Sequence, residues 1–222
     1  MLSIIRSWMS GGAVSGYQVF SYILASLTVV FLCTPLHECA HAITAIKLGD
    51  PTPKYMGRNT LNPMAHIDWI GALLILLFGF GYAKPVQVNM RNFKNPKSGM
   101  AITALAGPVS NVIAAFVFFV IYKFIFPGNG TFISNFAIMF CSYAVSINIS
   151  LAVFNIIPIP PLDGSKLLAA VLPDRKYYWL MQNERFFILA IFALIFLGVL
   201  DIPLAFLQNA IISLFRLLTF WI

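Results

Sequence analysis

His37 and His41 are the residues best placed to do chemistry, with Glu38 beside the first in the pentapeptide His37-Glu38-Cys39-Ala40-His41. On a helix, positions i and i+4 share a face one turn apart, so both imidazoles can offer a nitrogen to one Zn²⁺ ion. A carboxylate next to the first ligand can reach water at that ion and take its proton. A polar helix face near a membrane boundary would show a similar pattern, but two observations weigh against it. Two of the chain's three histidines fall in this pentapeptide. Glu38 also lies in an apolar run, where an unpaired carboxylate costs about 2–4 kcal/mol, and such intramembrane groups are functional candidates.

Two histidines leave a tetrahedral site incomplete, because a catalytic zinc takes a third protein ligand and keeps one position open. Asp163, Asp68 and His66 are the candidates. Asp163 follows Asn155-Ile156-Ile157-Pro158-Ile159-Pro160-Pro161-Leu162 and precedes Gly164. The prolines remove backbone donors and hold the chain extended, and the glycine permits a sharp turn. Asp163 could equally cap a helix running from Ser165 onward. His66 and Asp68 follow a turn at Asn62-Pro63 and read as loop anchors at the membrane surface, with a place beside the metal or a gating role as the alternative. Gly107-Pro108 and Asn111 read as a kink with close helix packing, although an Asn in an apolar span could meet a substrate backbone.

The elements that must position these groups are membrane helices. Of 222 residues 60% are apolar and only 9% charged, against about 25% charged in a soluble domain. That leaves too little polar surface for a water-soluble globule and excludes a second sizeable domain. The expected fold is an all-α polytopic membrane protein of about 4–6 transmembrane helices, one domain over residues 1–222. The net charge of +7 comes from basic residues in short segments between apolar runs. It is a topology signal and not a nucleic-acid-binding one. Cys33, Cys39 and Cys141 form no spacing pattern and read as buried reduced thiols.

The first long apolar run, 19–46, carries the pentapeptide and stops at Gly49-Asp50-Pro51. It continues straight into the chemistry, so the N-terminus is not read as a cleavable signal; residues 1–9 would form a short amphipathic segment on the membrane surface. The run at 69–82 is too short to span, which predicts a re-entrant or β-like segment near 69–90. Runs at 99–126 and 132–157 follow, joined by a tight turn at 127–130. A mixed interfacial stretch (164–184) precedes two C-terminal apolar helices within 186–222. Lys84, Arg91, Lys94 and Lys97 should face the cytoplasm, and the same topology brings Lys166, Arg175, Lys176 and Arg185 to that side. His37 and His41 then lie on the order of 10 Å inside the cytoplasmic end of their helix.

The pentapeptide in a first long span, with NIIPIPPLDG after a later one, resembles the site-2 protease family of intramembrane zinc metalloproteases. GRNTLNPMAHID (57–68), AKPVQVN (83–89) and AGPVSN (106–111) add to the likeness, which covers roughly residues 30–170. It is closest to the compact prokaryotic members. The resemblance implies one Zn²⁺ held by His37, His41 and Asp163, Glu38 as general base, and Asn155 holding substrate or stabilising the oxyanion. It implies a single-span membrane protein or leftover signal peptide as substrate and a prokaryotic cell membrane as location. Many relatives carry a PDZ-type domain between the two motifs or a nucleotide-sensing module after the last span. Here membrane segments and short loops nearly fill the stretch between the motifs, and no appended regulatory domain is expected. The competing reading is a metal-ion or proton transporter using the same His/Glu/Asp cluster.

Overall fold

The computed structural model describes residues 15–78, 81–126 and 130–221. The segment expected at 1–9, Gly79 and most of the turn at 127–130 lie outside them.

The first span is one continuous helix, Gly16–Lys47, built in three parts. Helix α1 (Gly16–Thr28) passes into a π-helical turn (Val29–Cys33) and then into α2 (Thr34–Lys47). The π turn ends four residues before His37; such insertions re-aim the next turn and are frequent at functional sites. Gly49 terminates α2 with φ of 111°, a conformation open to glycine. Its N–H donates to Ile46 O at 3.1 Å and the Asp50 N–H to Ala45 O at 2.9 Å, a Schellman ending.

Two single turns follow, α3 (Thr52–Tyr55) and α4 (Pro63–His66), then α5 (Trp69–Phe78). Asp68 caps α5, its Oδ1 accepting from Ile70 and Gly71 N–H at 3.0 Å each. Ten residues make about 15 Å of helix, half of the ~30 Å hydrocarbon core. The run is therefore too short to span, as expected. The β-like alternative for 69–90 does not form, since no strand is present among the described residues. The chain at 81–89 has no neighbouring strand to pair with. It runs as a strap whose amides go to Glu38, Asp50 and the His66 carbonyl. Gly71 anchors its start, because a Cβ there would stand 1.8 Å from Tyr82 O.

After a short turn (Met90–Asn92) come α6 (Pro96–Ile125), α7 (Phe132–Ile156), α8 (Asp163–Val171), α9 (Asp174–Gln182), α10 (Glu184–Phe196) and α11 (Asp201–Leu218). Among the described residues four helices are long and apolar enough to cross a membrane, or five if α9 and α10 count as one bent span. The protein is an all-α polytopic membrane protein. Along α6, Ile102, Leu105, Val109, Ile113 and Val117 recur at helical spacing and are exposed, a stripe that lipid, not water, would cover. The opposite faces are buried. Tyr22, Val29 and Cys33 of the first span pack with Ala144, Ile147 and Leu151 of α7. Ala115 and Phe119 of α6 pack with Val145 and Ile149 of α7 and Phe215 of α11.

Candidate metal centre

His37, Glu38 and His41 project from α2 into the interior and are all buried. Asp163 arrives from the other side of the chain. Its position depends on the turn between α7 and α8, where Gly164 sits so close to Ile156 that a Cβ would lie 2.1 Å from Ile156 O. Asp163 is the first residue of α8, and its carboxylate makes no cap bond. Oδ2 lies 3.1 Å from His37 Nε2 and 3.0 Å from His41 Nε2, and the two Nε2 atoms are 3.1 Å apart. Oδ1 accepts from Lys166 Nζ at 2.8 Å. Of the two roles open to Asp163, the structure rejects the cap and brings the carboxylate to the histidines.

The arrangement fits a metal ion on three counts. First, one ligand atom from each of His37, His41 and Asp163 lies within 4.8 Å of the others. Ligand atoms at zinc bond lengths and tetrahedral angles would be about 3.3–3.5 Å apart, close to the separations seen. Second, His41 Nδ1 lies 2.7 Å from Thr103 O. A carbonyl only accepts, so Nδ1 carries the hydrogen and Nε2 is the nitrogen turned to Asp163 Oδ2. Nε2 and a carboxylate oxygen 3.0 Å apart need a positive charge between them, which a proton or a metal ion can supply. Third, Gly107 of α6 leaves a cradle against both rings: a Cβ there would stand 2.3 Å from His41 Nε2 and 2.5 Å from His37 Nε2.

Glu38 does not join this triangle. Its Oε2 accepts from Val86 N–H of the strap at 3.0 Å. Glu38, His37 and Asp163 line a cavity of about 210 Å³, which Asn111 and Asn155 also border. Asn155 gives one amide hydrogen to Leu151 O at 2.9 Å, leaving Oδ1 and the second hydrogen. Asn111 is buried with an unpartnered Oδ1. His66 and Asp68 stand elsewhere. His66 is fully buried with Nε2 2.8 Å from Thr60 O, and Asp68 is the α5 cap. Both are loop anchors in this structure.

Four contributors were given no place at this site from the sequence. Thr103 acts through its carbonyl and Val86 through its amide, which no side-chain pattern reveals. Gly107 was read as close packing, correctly in kind, but the neighbour is the histidine pair. Lys166 alone carried a usable signal, three residues beyond Asp163 on the same helical face.

The family model described as Peptidase family M50 matches residues 124–199, a stretch holding Asn155 and Asp163 but not the pentapeptide. A Bacillus subtilis protein named "Putative zinc metalloprotease YwhC" is 37% identical over 172 residues, covering 76% of this chain and 77% of that protein. MJ0611 of Methanocaldococcus jannaschii, with the same description, is 37% identical over 100 residues, covering 45% of this chain and 49% of its own. "Zinc metalloprotease MJ0392" of that organism is 27% identical over 175 residues, covering 78% of this chain and 41% of its own. No solved structure matches the chain.

Proposed function

The chain belongs to peptidase family M50, the site-2 proteases, and from that premise we propose that it cuts single-span membrane proteins or leftover signal peptides within or near their membrane segment. It is a zinc metalloprotease and an integral membrane protein. The finer reading places His37, His41 and Asp163 as the zinc ligands and Glu38 as general base. One observation carries it: residues from α2 and α8, far apart in the chain, converge with Asp163 Oδ2 at 3.1 and 3.0 Å from two imidazole nitrogens.

When bound, zinc supplies Lewis acidity, making water acidic near neutral pH and polarising a peptide carbonyl. The Thr103 carbonyl fixes the tautomer of His41, so that Nε2 is the ligating atom. Lys166 occupies Oδ1 of Asp163 and reserves Oδ2 for the histidine side. Glu38 accepts the proton of the attacking water and delivers it to the leaving amine. Asn155 and Asn111 border the same cavity and offer amide groups to an unwound substrate backbone, along an edge that includes Tyr82, Ala83 and Pro85.

His41 is six residues from the end of α2, about 9 Å from it. The basic segments support a cytoplasmic assignment for that end of a prokaryotic cell membrane. Lys97 pairs with Asp174 at 2.9 Å, drawing two of these segments together. One membrane domain over 1–222 accounts for the whole arrangement. The chemistry of a transporter would use the same cluster, but the metalloprotease relatives favour proteolysis.

Wild type, Glu38→Gln and Asp163→Asn, purified in detergent, provide the test through bound zinc and cleavage of a single-span substrate. Glu38→Gln should keep zinc and lose cleavage; Asp163→Asn should lose much of the zinc. Full cleavage by Glu38→Gln would refute the assignment.

A further inference from the structure

Asp50 follows α2 and in the sequence looks like part of a helix stop. In the fold it is a fully buried carboxylate. Among the described residues no cation pairs with it, and hydrogen-bond donors hold its charge. Oδ1 accepts from Thr52 N–H at 3.0 Å, Thr52 Oγ1 at 2.5 Å and Asn92 Nδ2 at 2.7 Å. Oδ2 accepts from Asn89 N–H at 2.7 Å. The Thr52 bonds are local turn chemistry. Those to Asn89 and Asn92 reach some forty residues along the chain, to the end of the strap.

The strap has three hydrogen-bonded attachments to the α2–α5 region. Lys84 N–H donates to His66 O at 2.8 Å, Val86 N–H to Glu38 Oε2 at 3.0 Å, and Asn89 N–H to Asp50. Val86 is buried, and Val88 and Met90 pack on a cluster containing Ala45 of α2. Three residue steps, Val86 to Asn89, separate the Glu38 attachment from the Asp50 one, at most about 11 Å of extended backbone. Over the same interval α2 covers its last turns between Glu38 and its end. The strap therefore has little slack, and where Asn89 is held determines where the Val86 amide points. We propose that Asp50 is a positioning residue for catalysis: it holds the end of the strap, and through Val86 it orients the Glu38 carboxylate at the edge of the cavity. This rests on the reading of Glu38 as general base. Charge-assisted bonds suit the task, being shorter and roughly twice as strong as neutral ones.

The test uses the full-length enzyme in detergent with Asp50→Ala, Asp50→Asn, Asp50→Glu and Asn92→Ala. Backbone hydrogen exchange of 84–90, bound zinc, and kcat per bound zinc are measured for each. The Val86 amide should exchange at least about tenfold faster in Asp50→Ala and Asp50→Asn. Zinc should stay bound, and kcat per zinc should fall by about tenfold to the ~100-fold that a 1 Å misplacement costs. Asp50→Glu keeps both acceptor oxygens and should recover part of the rate. If Asp50→Ala does not fold, Asn92→Ala removes one donor from outside the site and should shift exchange and rate in the same direction by less. Lower melting temperature with unchanged Val86 exchange and unchanged kcat per zinc would overturn the proposal, reducing Asp50 to a helix stop. Faster exchange with full kcat would overturn the link to Glu38. Full activity of Glu38→Gln, by contrast, would strike the reading of Glu38 itself and leave the exchange result standing.

Discussion

Replacing Gly107 with alanine adds one methyl group, and the structure says where it goes. The new Cβ would stand 2.3 Å from His41 Nε2, 2.5 Å from His37 Nε2 and 2.6 Å from His37 Cε1. Non-bonded heavy atoms settle near 3.5 Å, so the overlap is about 1 Å against both rings. Neither ring can swing clear. His41 is tethered through Nδ1 to Thr103 O, one turn earlier on the same helix as Gly107. His37 is boxed in by His41 and Asp163. Overpacking of this kind costs about 1–3 kcal/mol, which as lost metal affinity is about 5–150-fold. A 1 Å displacement of catalytic geometry alone costs ~100-fold in rate.

Glycine to alanine inside a helix otherwise stabilises by up to about 1 kcal/mol, so the loss should not come from unfolding. The assay is zinc content by mass spectrometry across a chelator titration, with cleavage and melting temperature on the same samples. Gly16→Ala is the control, since nothing lies within 4 Å of a Cβ there. Gly107→Ala should lose zinc at lower chelator concentration than wild type and cleave at most a few per cent as fast. Wild-type zinc affinity and rate in Gly107→Ala would refute the placement of α6 against the histidines.

Lys166→Met strips the donor from Asp163 Oδ1 but leaves Oδ2 untouched. Zinc should remain bound while cleavage falls roughly tenfold, the scale of an unsatisfied buried acceptor at 1–3 kcal/mol; zinc analysis and single-turnover cleavage check it. Asp50 should leave a signature in acid. Burial pushes its pKa up, but bonds from Thr52, Asn92 and Asn89 more than reverse this and hold it below the ordinary 3.8. A lowered folded pKa means a contribution fully present above the unfolded value and lost as pH falls through the folded one. The melting-temperature gap between wild type and Asp50→Asn should be flat above about pH 5 and close only in stronger acid, below 3.8.

What could be read in advance was what is local. The pentapeptide works because i and i+4 share a face, and its spacing is visible in the letters. Span lengths followed from apolar runs, and α6 and α7 lie within three residues of the ranges expected. Asp163 marks the limit. As first residue of a helix after prolines it suits a cap as well as a ligand, and only the approach of α2, more than a hundred residues earlier, puts its carboxylate beside the histidines. The strap failed for a related reason. AKPVQVN alternates like a strand, but strands need a neighbour, and here the acceptors are the side chains of Glu38 and Asp50.

Helix α6 joins these strands of reasoning. Thr103, Gly107 and Asn111 stand at i, i+4 and i+8 and are all buried, while Ile102, Leu105, Val109 and Ile113 are exposed on its other side. Each inward residue does something different at one centre. The Thr103 carbonyl sets the tautomer of His41, Gly107 makes room for both imidazoles, and Asn111 borders the cavity with an unpartnered oxygen. In a membrane, small residues at this spacing let two helices approach closely, because no hydrophobic force separates lipid from leucine. Here the close approach of α2 and α6 is also what encloses the histidine pair. The packing surface and the proposed metal site are therefore one surface, and a change made to loosen the helices would loosen the histidine pair with them.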